Sequence, residues 1–595
     1  MHLSRIRVVN FRNFKDLDVP VSRNVVVVGE NRVGKSNLLY ALRLLFDPTV
    51  PDSARQLGLA DFWDGLKQPG PKHKIVVSVE IQDFEDNLGV LAELTDYRLD
   101  DDPETIRLTY EFRPKVDLED DPASADDYTF VCYGGENEAK RFGWELRRRI
   151  SMDLLPALRD AEGDLAVWRR SPLRPLIERA LADVAISDLE EIRDEIQKAT
   201  SKLSDFDEVD TLQDNIGNLF AEMSGPRQDI KPRLGFSITE ATKLYRNIRL
   251  LIDEGRRGIT DASLGSANLI FLTLKTLALR QLIDEGQHEH VFLAIEEPEA
   301  HLHPHLQRSV YRHLFDTVGK EDSPLSVILT THSPHIASVA PLSAVVLLKD
   351  AGDKGAVAHS TANMELTPED ADDLARYLDV TRAEMLFARG VILVEGDAER
   401  FVVPVFAEAL DKRLDHLGIT VCSVAGTNFD PYVRLLTALD IPFAVITDWD
   451  PTGNGNGLGA ARTKKLVESI QTERTGSVPA PVARALATTD PGEIRTAVAR
   501  HGIFLNEHTL EVDLFRDTFA DAIIETLREG VFGAARRAKI DAWEADADEL
   551  DTDEFLKMVD RIGKGRFAQR LSSRIGGTQP PDYIRLAIEF VAGRV

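Results

Sequence analysis

Arg23–Phe46 reads RNVVVVGENRVGKSNLLYALRLLF, and this stretch decides the class of fold. RNVVVVGE is a short, continuous apolar run rich in β-branched residues, which predicts a buried strand. KSNLLYALRLLF has helical apolar spacing. Between them, Gly29 to Ser36 fits G-x-x-x-x-G-K-[ST] in its required setting, a strand before and a helix after. Gly29 and Gly34 let backbone N–H groups close around phosphates, and the helix N-terminus adds its positive end. Lys35 is expected to reach the β- and γ-phosphates of ATP, and Ser36 to ligate Mg²⁺. Asn31 and Asn37, inside and just after the loop, are further candidate nucleotide contacts.

Three later segments narrow the class of nucleotide hydrolase. VFLAIEEPEAHLHP, from Val291, is a strand that ends in adjacent acids. Glu296 is expected to hold Mg²⁺ through water, and Glu297 to position or activate the attacking water. ILTTHSP is another strand, ending in His332, well placed to sense the γ-phosphate. SLGSAN, from Ser263, puts small polar residues at a helix start, a second anion-binding end with Ser263 and Gly265 as contacts. His301, His303 and His305 invite a zinc reading, but no cysteine or H-E-x-x-H supports it.

A second constellation lies in the last third. TDWDPTGNGNG begins at Thr447 and places Asp448, Asp450, Thr452 and Gly453 where a calcium loop has its first ligands. The calcium reading fails, because the twelfth position, which must be a bidentate Glu, is Gly459. IPFAVIT, just before it, predicts a buried strand, so both aspartates sit at a strand's carboxyl end, and in extended chain residues two apart point the same way. GVILVEGDAERF is strand, turn and helix, with Glu395 at the strand end and Glu399 about one turn into the helix. Glu511 in NEHTLEVDL is expected to add an acid from another strand end, with Thr509 beside it. Several carboxylates in one small site make chemical sense only with a divalent metal. Two Mg²⁺ ions, or Mn²⁺, serve the attacking water and the leaving 3′-oxygen of a phosphodiester.

Composition sets the limits around these motifs. The 595 residues are too many for one hydrophobic core and suggest about three or four domains. No apolar run is long enough to cross a bilayer, and the first residues lack a signal-peptide apolar segment, so a cytoplasmic protein with no membrane partner is expected. Two cysteines exclude a disulfide framework and fit a reducing compartment. The formal net charge of −28 argues against a surface that attracts nucleic acid everywhere. A local basic groove, or metal held between acids and phosphates, still permits salt-sensitive DNA binding.

The expected architecture is α/β. Residues 1–150 carry the first part of an ATPase domain, and residues 151–247 a charged helical insertion suited to dimerisation. Residues 248–385 carry the second part of the ATPase, and residues 386–595 a second α/β domain with the acidic site.

The order GENRVGKS, SLGSAN, AIEEPEAHLHP, THSP resembles the ABC-type ATPases related to SMC and Rad50 proteins. It departs from them in having Glu296 at the usual Walker B aspartate and in lacking L-S-G-G at Ser263. In that class ATP is sandwiched between two units. One such half-site per chain therefore implies a homodimer or a larger even-numbered assembly. Glu395 followed by the Asp448/Asp450 pair resembles the Toprim fold of topoisomerases, primases and related nucleases. ABC-type ATPase followed by Toprim resembles the OLD (overcoming lysogenization defect) family of ATP-dependent endonucleases. RIRVVNFRNF, LRDAEGDL and RIGKGRFAQRL extend that resemblance over nearly the whole chain. The start and the tail after the Asp448/Asp450 pair most resemble the branch with the nuclease subunit of Gabija antiphage systems. The resemblance implies metal-dependent nicking or cutting of DNA under nucleotide control, often in phage defence, with Lys564 as the family's late lysine and a helicase-like partner in some systems. From the residues alone, a Rad50-like DNA tethering or repair ATPase and a Toprim primase stay open.

Overall fold

The computed structural model describes residues 1–66, 68–85, 87–116, 118, 120–157, 160–202, 206–224, 246, 248–320, 323–364, 366–451 and 457–595. Thr452, Gly453 and most of the glycine-rich tail after Asp450, the first two residues of LRDAEGDL, and the end of the helical insertion lie outside them. The chain forms two compact units, Met1–Ala157 with Glu289–Val595, and Leu158–His288.

The larger unit holds three sheets, each formed by segments whose pattern matches its environment. An antiparallel five-stranded sheet runs in the order Phe14–Pro20, His2–Phe11, Ile75–Gln82, Ile106–Pro114, Tyr128–Gly134. In Ile75–Gln82 buried and half-buried residues alternate strictly, as a sheet with one covered face requires. The six-stranded sheet runs Ala356–Ser360, Val345–Asp350, Val25–Gly29, Leu325–Thr330, His290–Glu296, Ile150–Leu155. Its strands are parallel except at the Ala356–Ser360 edge. Val25–Gly29 and Leu325–Thr330 are buried throughout, the signature of strands covered on both faces. Each such Val, Leu or Ile contributes about 1.5–3 kcal/mol on burial. Phe46, from the helix after the glycine loop, packs on Phe292 of the Walker B strand with ring centroids 5.0 Å apart. That contact helps fix the loop helix over the sheet.

The third sheet is parallel, in the order Ile419–Ser423, Gly390–Val394, Phe443–Thr447, Ile503–Leu505. Helices Asp397–Ala409, Lys564–Ser572 and Asp582–Ala592 share its core, through Val402, Phe406, Phe567, Ile584 and Ile588.

The smaller unit is helical, with Leu173–Ala180, Ile186–Ser201, Asp207–Ser224 and Leu264–Asp284. Its extent differs from the reading of the sequence at both ends. Ile150–Leu155 is a strand paired in parallel with His290–Glu296, so the helical part begins after it. The segment ISMDLL is too short to announce itself, and its burial depends on a partner strand far along the chain. At the other end, the SLGSAN helix belongs to the helical unit and not to the sheet-bearing one.

Candidate functional sites

The glycine loop follows strand Val25–Gly29 directly. Gly29 (φ +149°) and Gly34 (φ +108°) adopt backbone conformations that L side chains rarely take, and a Cβ on Gly29 would lie 2.5 Å from the Leu348 carbonyl oxygen. Lys35 is buried and its Nζ donates to the carbonyls of Gly29 (3.0 Å) and Glu30 (2.8 Å). The loop thus closes on its own lysine. Burial pushes the Lys35 pKa down, while Glu297 and Glu299 oppose that shift. Ser36 is the second residue of the following helix, Lys35–Phe46. Asn31 lines a cavity of about 510 Å³ shared with Arg32, Lys349 and Arg389. Asn37 is engaged elsewhere. Its amide oxygen accepts from Arg12 Nη1 (2.8 Å) and its Nδ2 donates to Asn13 Oδ1, so the structure gives it a role in holding the NFRNF turn against the loop helix.

Glu296 closes the Walker B strand opposite Thr330. Glu297 has a left-handed backbone (φ +42°), and its N–H donates to the Thr330 carbonyl at 3.0 Å. Glu297 Oε1 lies 3.6 Å from His332 Nε2. Burial and then Lys35 push the His332 pKa down, which keeps the imidazole neutral near pH 7. Glu299, to which the sequence motifs gave no role, ties the two segments together. Its carboxylate accepts from the His332 N–H (2.6 Å) and the Thr331 hydroxyl (2.9 Å). The signal for it was a third acid two residues after Glu297. His303 caps helix Pro304–His313 and its ring lies against His305. Ser263 caps helix Leu264–Asp284 in the helical unit, accepting from the Ser266 N–H at 3.2 Å, with Gly265 in the first turn.

The acidic site gathers residues from several elements of the third sheet and its helices. Glu395 follows strand Gly390–Val394. Its Oε1 accepts from the Asp448 N–H (2.9 Å), from the Thr447 hydroxyl, and from Arg462 Nη2 (3.1 Å). Glu399 is buried in the first turn of helix Asp397–Ala409 and accepts from the Gly396 N–H at 3.2 Å. Asp448 Oδ1 accepts from Asn506 Nδ2, and Asn506 Oδ1 accepts from the Trp449 N–H at 2.8 Å. Asp450 departs from the extended geometry expected of it. It has φ +49°, so the chain turns after the buried Trp449, and its carboxylate meets Arg462 Nη2 at 3.2 Å. Glu511 also departs from expectation. It lies in the first turn of helix Leu510–Arg516, because Ile503–Leu505 ends earlier and Thr509 takes the N-cap position. The Thr509 hydroxyl oxygen is buried with no hydrogen-bond partner.

Lys564 opens helix Lys564–Ser572 after Gly563, whose φ is +93°. Its Nζ lies 4.0 Å from Glu511 Oε1, a proximity no local pattern could show. Glu511 is the main cause of its raised pKa, ahead of the opposing burial. Arg462, Asn506 and Thr447 were missed by sequence reasoning, since each is an ordinary polar residue until the fold sets it against an acid.

The electrostatics fit a cation. Burial, then Glu395, Glu399 and Glu511, push the Asp448 pKa well above the usual carboxylate range. Burial is also the main cause that pushes Glu399 up to about 7, with Glu511 and Glu395 adding to it. Arg462 and Lys564 pair with Glu395, Asp450 and Glu511, but among the described residues no cation forms an ion pair with Asp448 or Glu399, and the orphaned Thr509 hydroxyl adds a neutral oxygen donor. Among the described residues no three acidic, histidine or cysteine side chains already converge on one ligating point. The acids form a cage rather than a finished coordination sphere. Glu395, Glu399, Asp448, Asp450 and Glu511 are the residues that would hold a divalent ion.

The nucleotide loop, its acidic strand end and the carboxylate cage define an ATPase joined to a Toprim module. A model of the AAA ATPase domain matches residues 1–149 and 170–337, and a model of the overcoming lysogenization defect protein-like TOPRIM domain matches residues 386–450. The chain belongs to the OLD family of ATPase–Toprim nucleases. An OLD nuclease of Thermus scotoductus is 25% identical over 466 residues, covering 75% of this chain and 82% of that protein. Endonuclease GajA of Bacillus cereus is 21% identical over 469 residues, covering 76% and 75%. The C-terminal region of the Burkholderia pseudomallei OLD protein is 39% identical. The match covers 35% of this chain and 98% of that one, with a TM-score of 0.31.

Proposed function

We propose that this protein is an ATP-controlled, divalent-metal-dependent DNA endonuclease that nicks or cleaves phage DNA in the cytoplasm, working as a homodimer or a larger even-numbered assembly. The observation that carries the reading is the grouping of Glu395, Glu399, Asp448, Glu511 and Lys564, drawn from distant parts of the sequence, in one site. A bound Mg²⁺ or Mn²⁺ supplies charge stabilisation and activates water for phosphodiester hydrolysis. The chain's own residues do the rest. Glu395 is fixed by the Asp448 N–H and the Thr447 hydroxyl, and Asn506 holds Asp448. Lys564 offers an ammonium to the non-bridging oxygens of the phosphate. Intact acids weigh against a purely tethering ATPase. A helicase-like partner is part of the proposal.

The deciding experiment incubates supercoiled plasmid with Mg²⁺ or Mn²⁺ across a range of ATP concentrations. Nicked and linear products are expected. Relaxed closed circles, or no change under any metal, would overturn the reading.

Assembly is tested separately. The helical unit exposes Ile192, Ile196, Leu212, Ile216 and Leu219, apolar side chains that suit contact with a second copy. Light scattering at micromolar concentration is expected to give a dimer or a larger even-numbered species. A monomer with and without ATP would remove the basis for a composite ATP site.

Lys564→Ala is expected to slow single-turnover nicking by about a hundredfold, because a cation fixed beside the reacting phosphate stabilises the transition state more than the ground state. Lys564→Arg is expected to rescue poorly, since a planar guanidinium does not replace a point charge in a tight site. A loss below about threefold at saturating Mn²⁺ would place Lys564 outside the active site.

Metal loading is expected to release protons. Glu399, pushed up to about 7, is partly protonated near neutrality in the metal-free chain, burial pushes the Asp448 pKa in the same direction, and a metal binds only the ionised forms. Affinity should therefore rise from pH 6 to pH 8. Calorimetry in two buffers of different ionisation enthalpy checks this, and identical heats in both would contradict it.

A further inference from the structure

One guanidinium sits inside the acidic cage. Arg462, on helix Leu458–Thr475, places its Nη2 3.1 Å from Glu395 Oε1, 3.2 Å from Asp450 Oδ2 and 2.7 Å from the Asp448 carbonyl oxygen. Its side chain is 16% exposed, whereas that of Lys564, the cation beside Glu511, is 52% exposed. The two cations therefore differ in kind. Lys564 stands at the mouth beside one acid, and Arg462 stands within, shared by two acids from different strands. The Arg462 Nε is buried with no hydrogen-bond partner, so the guanidinium is not fully satisfied where it stands.

Two physical facts make this placement consequential. An arginine cannot yield its position by losing a proton, because its guanidinium stays charged at any working pH. A divalent ion that takes Glu395 and Asp450 would also meet a like charge within a few ångström, which costs energy in a partly dry site. The arginine must therefore move for those two carboxylates to become ligands. The anion that the reaction brings to the site is the phosphodiester, and a guanidinium fork matches phosphate oxygens with two parallel N–H donors.

We propose that Arg462 is a built-in counter-ion. It occupies the Glu395–Asp450 pair in the metal-free chain, and metal entry displaces it onto the substrate phosphate. The Glu395–Asp450 pair is then never left without a cation. The metal-free acids are held in register by the arginine, and the loaded site gains a phosphate clamp from the same residue. Full metal affinity and DNA grip become linked, because a phosphate that accepts the guanidinium removes the competitor of the metal. This inference rests on the reading of the acids as metal ligands.

The test measures Mn²⁺ binding directly, by calorimetry or by the electron paramagnetic resonance of free Mn²⁺, on the full chain. The variants are Arg462→Met, which keeps the stem, and Arg462→Lys, which keeps a charge. Partners bonded to metal-ligating side chains commonly alter affinity by about 10–100-fold. Arg462→Met is expected to bind Mn²⁺ about tenfold more tightly than the natural protein in the absence of DNA, while Arg462→Lys stays near it. A short duplex should tighten Mn²⁺ binding to the natural protein and have little effect on Arg462→Met. Nicking by Arg462→Met is expected to fall by about a hundredfold despite the tighter metal. Unchanged or weaker Mn²⁺ binding by a folded Arg462→Met protein, checked by its circular dichroism melt, would overturn the counter-ion role. Absence of Mn²⁺ binding by the natural protein would instead defeat the metal-site reading itself.

Discussion

Plasmid nicking by an Asp448→Asn protein is expected to fall by about 10³-fold or more, with ATP hydrolysis largely retained. Asp448 sits within the cage, covered by the Asn506 amide on one side and facing Glu395, Glu399 and Glu511 through the site. Metal-based charge stabilisation is worth several kcal/mol in such a reaction, and about 1.4 kcal/mol is a factor of ten in rate. Asparagine keeps the acceptor for Asn506 Nδ2 and so keeps the local fold. It also removes a carboxylate whose pKa is held well above its ordinary value, and such a group in its charged form opposes folding. The metal-free variant should therefore melt no lower than the natural protein at pH 7, which separates a chemical defect from an unfolded one. Glu395→Ala should lose as much nicking but also stability, because the Thr447 hydroxyl and Arg462 lose a partner. Full nicking by either protein would return the Asp448–Asp450 pair to the status of a surface turn.

ATP turnover by Glu297→Gln is expected to drop by about 10²–10⁴-fold, the range for a general base, with nucleotide still bound. The geometry supports that role over Glu296. Glu297 has the left-handed backbone that turns it out of the strand, faces the neutral His332 at 3.6 Å, and lies close enough to Lys35 to affect its charge. Lys35→Ala is the complementary variant and should abolish nucleotide binding. The natural loop buries that ammonium against two carbonyls from which phosphate must draw it away. Glu299→Gln is expected to act differently, loosening His332 from the Walker B turn. Normal turnover by the Glu297→Gln protein, measured by phosphate release with saturating ATP, would sink its assignment as the base.

The sequence by itself determined the features that depend on neighbours along the chain. The glycine loop is legible because a strand, two glycines at positive φ and a lysine must follow one another within a few residues. The strands VVVVG, VILT and FAVIT are legible because burial on both faces demands unbroken apolar runs. Glu395 and Asp448 are legible because a polar residue at the end of such a run has few other uses. Tertiary structure alone decided what depends on distant partners. Ile150–Leu155 is a strand because His290–Glu296 pairs with it. Glu511 opens a helix because Ile503–Leu505 stops short, and Lys564 reaches Glu511 because its helix packs on Asp397–Ala409. Arg462 became visible in the same way. Local spacing records the periodicity of one element, whereas the charge a side chain meets is set by elements that share no sequence neighbourhood with it.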